Sequence, residues 1–196
     1  MSTAPTKRRF TVAEYLAFEQ DSLVKHEFYR GELFAMAGAS IPHNVIAGNV
    51  FANLHAALRG KGCRTYGSDQ RISISKRDLY TYSDVAAICG PVERDSEDSM
   101  AATNPRVIVE VLSKSTENYD RGKKFEFYQQ LDSLREYLLV SQEEAKVIRY
   151  VRKEDGSWHY YLSQGLEQAI GFQSIECVLP LSDIYEDVTL GPEAVE

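Results

Sequence analysis

The stretch Asn104-Pro-Arg-Val-Ile-Val-Glu110-Val-Leu-Ser113 sets one carboxylate inside an otherwise apolar run. Val and Ile hold the backbone extended, and a run apolar at both odd and even positions suits a strand covered on both faces of a sheet. An ionised Glu110 in such a strand costs several kcal/mol unless a metal, a cation or a set of donors meets it. Glu110 by itself is equally readable as a salt-bridged structural carboxylate or as a ligand. It is still the point from which function is sought.

Working outward, Ser113, Ser115 and Thr116 lead into a helix expected over residues 119–131. Within it Lys124 shares a stripe with Phe127, Tyr128 and Leu131, at spacings of three, four and seven, so its side chain leaves from the face that packs inward. A lysine there either snorkels to solvent, pairs with Asp120 at i−4, or serves a buried anion. Upstream, the run from Tyr80 to Cys89 begins with aromatics and reads as strand, with Asp84 at the start of its apolar part, 26 positions before Glu110. If the two strands are neighbours, their carboxylates converge on one cation. Carboxylates, carbonyls and water are the hard oxygen ligands of magnesium and manganese.

The flanking chain reads as a scaffold. Thr11 and Glu14 form a capping box that opens a short helix over residues 12–18. Lys25 to Tyr29 and Glu32 to Ala37 predict a hairpin around Arg30-Gly31. Ser40 caps a second helix reaching about Leu58, with Pro42 tolerated in its first turn and His43, Ala47, Val50 and Leu54 on one face. Arg71 to Ser75 alternates as a strand, residues 93–104 read as a surface loop, and residues 136–141, 146–152 and 158–163 read as a β-meander. A short strand and a brief helix close the chain between Ile175 and Val188.

A chain of 196 residues with 43% hydrophobic and 26% charged residues is long enough for one domain with a real core. It lacks the roughly 20 apolar residues of a membrane span and the apolar segment of a signal peptide. Cys63, Cys89 and Cys177 are odd in number, far apart and without a Cys-x-x-Cys pair, which predicts reduced thiols and, with the rest, a cytoplasmic protein. The net charge of −7 argues against default nucleic-acid binding, yet basic residues cluster at 7–9, 59–64, 71–77 and 114–124.

Several of these pieces together resemble one known family. They are Tyr82-Ser-Asp84, Val107-Ile-Val-Glu110-Val-Leu112-Ser113, Asp120-Arg-Gly-Lys123-Lys124-Phe-Glu-Phe-Tyr128, Arg135-Glu-Tyr137-Leu-Leu-Val, the His26-Glu27-Phe-Tyr-Arg-Gly31-Glu32-Leu hairpin and His43. The combination is similar to the Uma-type family of restriction-endonuclease-like proteins, formerly a domain of unknown function, within the PD-(D/E)XK nuclease superfamily. The likeness spans about residues 10–188. It implies an α/β fold with a restriction-endonuclease-like core, a mixed sheet flanked by helices, carrying an N-terminal helix and hairpin and the C-terminal meander. It further implies metal-dependent phosphodiester cleavage, with Asp84 at the superfamily's motif aspartate and Glu110 at its acidic strand position. Ser83 stands where the motif has proline. Leu112 stands where it has lysine, and Lys124 is the candidate for a lysine that has migrated to the following helix. Glu32 and His43 match recurring family positions, and either is a candidate to supply a further acid or base.

The resulting expectation is a single domain over residues 10–188 between a mobile tail at 1–9 and a C-terminal tail at 189–196. Its metal is Mg2+ or Mn2+, held by Asp84, Glu110 and a backbone carbonyl near Val111, and its substrate is DNA. No membrane is involved, and two copies are expected to pair through edge strands of the meander. A non-catalytic binding module of the same fold, and a hydrolase of another phosphoester, stay open as rivals.

Overall fold

The computed structural model describes residues 8–191. At its centre lies β7 (Val107–Leu112), all six of whose residues are buried. It runs parallel to β8 (Glu136–Ser141) and antiparallel to β6 (Val85–Cys89). β9 (Lys146–Arg152) and β10 (Trp158–Gln164) extend the sheet beyond β8, and β3 (Cys63–Gly67) closes the other side, giving the order β10-β9-β8-β7-β6-β3. The meander expected at residues 136–163 is thus part of the central sheet.

Two helices cover the two faces, which is why the central strands read as continuous apolar runs. The α2 helix (Ile41–Ala57) is capped by Ser40, whose hydroxyl accepts from the His43 N–H. It packs Ile46, Val50 and Leu54 against Val85, Ala87, Val107, Val109 and Val111. On the opposite face, residues 117–128 form α3, whose Phe125, Phe127 and Tyr128 meet Ala86, Ile108, Leu112 and Leu139. Strand alternation therefore turns Glu110 toward α3, with Ile108 and Leu112.

A second sheet, β2-β1-β5-β4, lies beside the first. It contains the expected hairpin, β1 (His26–Tyr29) and β2 (Glu32–Ala35), with Arg30 and Gly31 at positive φ in the turn. β5 (Leu79–Tyr82) and β4 (Arg71–Ile74) complete it. The helix α1 (Val12–Asp21) carries the predicted capping box and buries Tyr15 against Phe28. After the central sheet, β11 (Ala169–Phe172) and β12 (Cys177–Pro180) form a ribbon, and α4 (Leu181–Ile184) packs on α2.

Three expectations are corrected. The run from Tyr80 to Cys89 is two strands, β5 and β6, in different sheets. The chain changes sheet at Ser83-Asp84, and Asp84 stands immediately before β6, at the start of the apolar strand where the sequence put it. Cys63 and Cys89 are joined by a disulfide, being direct partners in the β3–β6 register, and only Cys177 is free. Reduced thiols no longer support a cytoplasmic location. Among the described residues, no helix is long and apolar enough to cross a membrane. The segment 93–104 is less open than a surface loop, because Asp98, Ala101, Ala102 and Asn104 are buried and Ala102 bonds to β4. Of the expected tails, residues 1–7 and 192–196 lie outside the described residues; Arg8 pairs with Glu14, and the Phe10 N–H bonds to the Gly31 carbonyl.

Candidate active site

The β6–β7 register pairs Val85 with Val109, so one step further it sets Asp84 opposite Glu110. The two candidate carboxylates therefore stand at the same end of neighbouring chain segments, the condition on which their convergence depended. Glu110 is 4% exposed, and its Oε1 accepts from Lys124 Nζ at 3.0 Å and from the Tyr128 hydroxyl at 3.0 Å.

Lys124 lies in a π turn, Asp120–Lys124, inserted in α3. The widened turn carries an extra residue, so Asp120, Lys124, Phe125, Phe127 and Tyr128 are all buried although a regular α-helix would swing one of them outward. Lys124 is 6% exposed and lies 3.0 Å from Glu110, 3.7 Å from Glu27 and 3.7 Å from Asp120. The snorkelling reading of this lysine is excluded. Glu27, on β1, also accepts from the Thr81 and Tyr119 hydroxyls, so the second sheet is tied to the cluster. The Tyr137 hydroxyl donates to the Asp120 carbonyl and braces the turn.

Three carboxylates thus surround one ammonium. Burial pushes the Glu110 carboxyl well above the ordinary carboxylate range. The charge of Lys124 opposes that rise, while Asp120 and Asp84 add to it. Asp120 is raised for the same leading reason. For Lys124 burial works against the charged form, but Glu110, Glu27 and Asp120 outweigh it and hold the proton tightly.

Asp84 has a different environment. Its Oδ2 accepts from the Val111 N–H at 2.7 Å and faces His43 Nε2 at 3.3 Å. Burial favours its neutral form, yet the hydrogen bond and charge of His43 together with the Val111 N–H keep it below the ordinary carboxylate range. Reciprocally, burial alone would lower the His43 pKa, and Asp84 overcomes this and raises it. His43 Nδ1 is buried without a hydrogen-bond partner. The Asp84 side chain is 20% exposed, His43 and Glu27 are each 13%, and Glu110, Asp120 and Lys124 are 5–7%, so solvent reaches the cluster most readily at Asp84.

The sequence candidates are therefore brought together unequally. Asp84, Glu110, Lys124, His43 and the Val111 backbone share one cluster. The hairpin carboxylate at Lys124 is Glu27, one strand from the expected Glu32, which lies in β2 opposite Tyr29. Glu27, Asp120 and Tyr128 were not singled out. The i−4 and i+4 spacings around Lys124 pointed to the last two, whereas Glu27 becomes visible only when β1 pairs with β5. Among the described residues, no three His, Cys, Asp or Glu side chains are arranged to hold a metal ion.

Comparison with known proteins adds three findings. The family model Uma2, described as "Putative restriction endonuclease", matches residues 12–181. Two proteins of Synechocystis sp. (strain ATCC 27184 / PCC 6803 / Kazusa) are similar. "Uncharacterized protein slr1290" is 39% identical over 157 residues, covering 79% of this chain and 82% of its own, and "Uncharacterized protein sll1609" is 35% identical over 158 residues, covering 81% and 89%. The crystal structure of a "putative nuclease belonging to DUF820" from Anabaena variabilis ATCC 29413 superposes with a TM-score of 0.73 at 14% identity, covering 90% of this chain and 97% of that one, which shows a shared fold.

Proposed function

The chain belongs to the Uma2 family, described as "Putative restriction endonuclease", and from that membership and the chemistry of the Glu110 cluster we propose that it is a Mg2+- or Mn2+-dependent endonuclease hydrolysing DNA phosphodiesters in the cytoplasm. The observation that carries the proposal is the opposition of Asp84 and Glu110 across β6 and β7, beside a buried Lys124. A globular core has no packing use for so many buried charges, and desolvating them is costly.

The donor set fits a hard divalent cation. Asp84, Glu110 and the Val111 carbonyl would hold it, with water completing the shell as magnesium prefers. The carboxylates around Lys124 outnumber the ammonium three to one, an excess of buried negative charge that a divalent ion offsets. When bound, such an ion lowers the pKa of a water and polarises a phosphate.

The chain's own groups do the rest. Lys124 keeps a fixed positive charge for the charge that develops on the phosphate oxygens. The Tyr128 hydroxyl fixes the Glu110 rotamer, and the Val111 N–H fixes that of Asp84 and favours its ionised form. His43, whose charged form Asp84 favours, lies near the solvent side and is placed to hold or pass a proton at Nε2. In this reading Glu27 is added to the cluster, and Glu32, on the neighbouring strand, stays a candidate for a further acid or base.

The test is cleavage of plasmid and oligonucleotide DNA in Mg2+ or Mn2+, with calorimetry of metal binding. Wild type should cut and bind the ion, and Asp84→Asn and Glu110→Gln should lose both while melting cooperatively. Ion binding with all nucleic acids left intact would move the assignment to another phosphoester; neither ion binding nor cleavage would leave a non-catalytic module.

The proposal includes a homodimer. β10 is a sheet edge with no partner strand on its outer side among the described residues. Its residues Trp158–Gln164 include no charge and no proline, the usual guards of an edge, and Tyr160, Tyr161 and Leu162 are exposed. Antiparallel pairing of two copies about Tyr161 sets Tyr160 against Leu162 without charge repulsion.

A further inference from the structure

At the far end of the central sheet, away from the Ser113 end of β7, three arginines form a row. Val107 pairs with Glu136, and Glu136 pairs with Val151. One position outward the same registers align Arg106, Arg135 and Arg152, and Trp158 follows opposite Arg152. Backbone bonds join the row directly, because the Arg135 N–H donates to the Arg106 carbonyl at 2.9 Å and the Arg152 N–H to the Arg135 carbonyl at 2.8 Å.

Like charges directly opposite on adjacent strands destabilise a sheet, so a row of three calls for a counter-charge. Among the described residues, no carboxylate lies within ion-pair distance of any of the three guanidinium groups. Asp132, whose charge reaches the row, is bonded to Lys76 at 2.8 Å. The guanidinium groups rest on backbone carbonyls instead: Arg106 on Ser174, Arg135 on Asp132 and Leu134, and Arg152 on Leu131. Each guanidinium has five donors, so most of the N–H groups of these half-buried side chains have no protein acceptor. Burial and then the charges of Arg106 and Arg152 weaken the hold of Arg135 on its proton, as crowding of like charge requires.

We propose that Arg106, Arg135 and Arg152 form a second anion site, separate from the Glu110 cluster, that takes the backbone phosphates of a nucleic-acid strand. The row crosses three strands and is about 10 Å long at ~4.8 Å per strand. That exceeds one phosphate and matches about three along a strand rising ~3.4 Å per nucleotide. Trp158 continues the row, and the Arg152 guanidinium lies over its half-buried ring, 5.7 Å from the centroid, which holds that charge in line with the others. Arg106 stands four residues from Glu110, about 13 Å along β7, so the row anchors substrate and leaves the chemistry to the cluster. The nucleic-acid identity of the ligand rests on the nuclease reading; the anion site does not.

The experiment measures fluorescence anisotropy of labelled single-stranded and duplex oligonucleotides, over a salt series, with full-length protein in an Asp84→Asn background. Replacing each arginine by Gln should weaken binding and reduce the slope of log K against log salt by about 0.7 to 0.9 per arginine, and the triple variant by about 2.1 to 2.7. Arg135→Lys, which keeps the charge, should keep the slope, and this separates a charge contact from a folding defect. In the active background the triple variant should raise KM and spare kcat. Wild-type affinity and slope in folded single and triple variants would overturn the row while leaving cleavage intact. Row-dependent binding in a protein that cuts nothing would overturn the nuclease reading and keep the row. Thermal stabilisation by inorganic phosphate, without oligonucleotide binding, would overturn the nucleic-acid assignment.

Discussion

Replacing Lys124 by Met keeps the unbranched stem, one atom shorter, and removes the ammonium from between Glu27, Glu110 and Asp120. Breaking a buried pair by deleting one partner costs about 3–5 kcal/mol, because the remaining charge is left uncompensated. The carboxyls can relieve this by taking up protons. At 1.36 kcal/mol per pKa unit, relief of that size corresponds to a further rise of about two to four units shared within the cluster. The sign follows from linkage. A carboxyl whose folded pKa is raised binds more protons folded than unfolded, so its cost is absent below the unfolded value of 4.5 and grows as pH rises above it. The Lys124 proton, held above its ordinary value, contributes a constant stability across acid and neutral pH and therefore does not mask the trend. The deficit of the variant should thus be smallest in acid and, above the raised folded-state pKa of Glu110, grow by about 1.4 kcal/mol per pH unit for each further proton the carboxyls hold. Urea melts across this range measure it. With an m-value of about 2 kcal/mol per M, the neutral-pH midpoint should drop by about 2 M. A deficit that is the same at acid and neutral pH, or below about 1 kcal/mol at neutrality, would falsify the picture of one ammonium neutralising three buried carboxylates.

Two further outcomes follow from the same coordinates. Asp84→Asn removes the group that overcomes burial at His43, so NMR titration should find this imidazole above the ordinary histidine pKa in wild type and below it in the variant; an unchanged value would dissociate the pair. Leu162→Lys, which places a charge on the exposed edge of β10, should convert a dimer to a monomer in sedimentation without changing the melting of the protomer, and an unchanged mass would move the interface elsewhere.

What was legible in the chain by itself was local. The Thr11–Glu14 box, the Ser40 cap and the Arg30-Gly31 turn each depend on residues a few positions apart, and all three are present. Glu110 was conspicuous because a carboxylate in an apolar strand contradicts its surroundings, and Lys124 because a 3.6-residue period puts it on the wrong face for a solvated lysine. The tertiary structure decided everything that joins distant segments. It set Asp84 opposite Glu110, at a point where the chain passes from one sheet to another. It brought Glu27 to Lys124 by pairing β1 with β5, and it joined Cys63 to Cys89. It also aligned Arg106, Arg135 and Arg152, which are scattered along the sequence and become a single positive row only through the registers of β7, β8 and β9. Periodicity tells which face a side chain leaves from; strand register, set by the packing of the whole core, tells what it meets there.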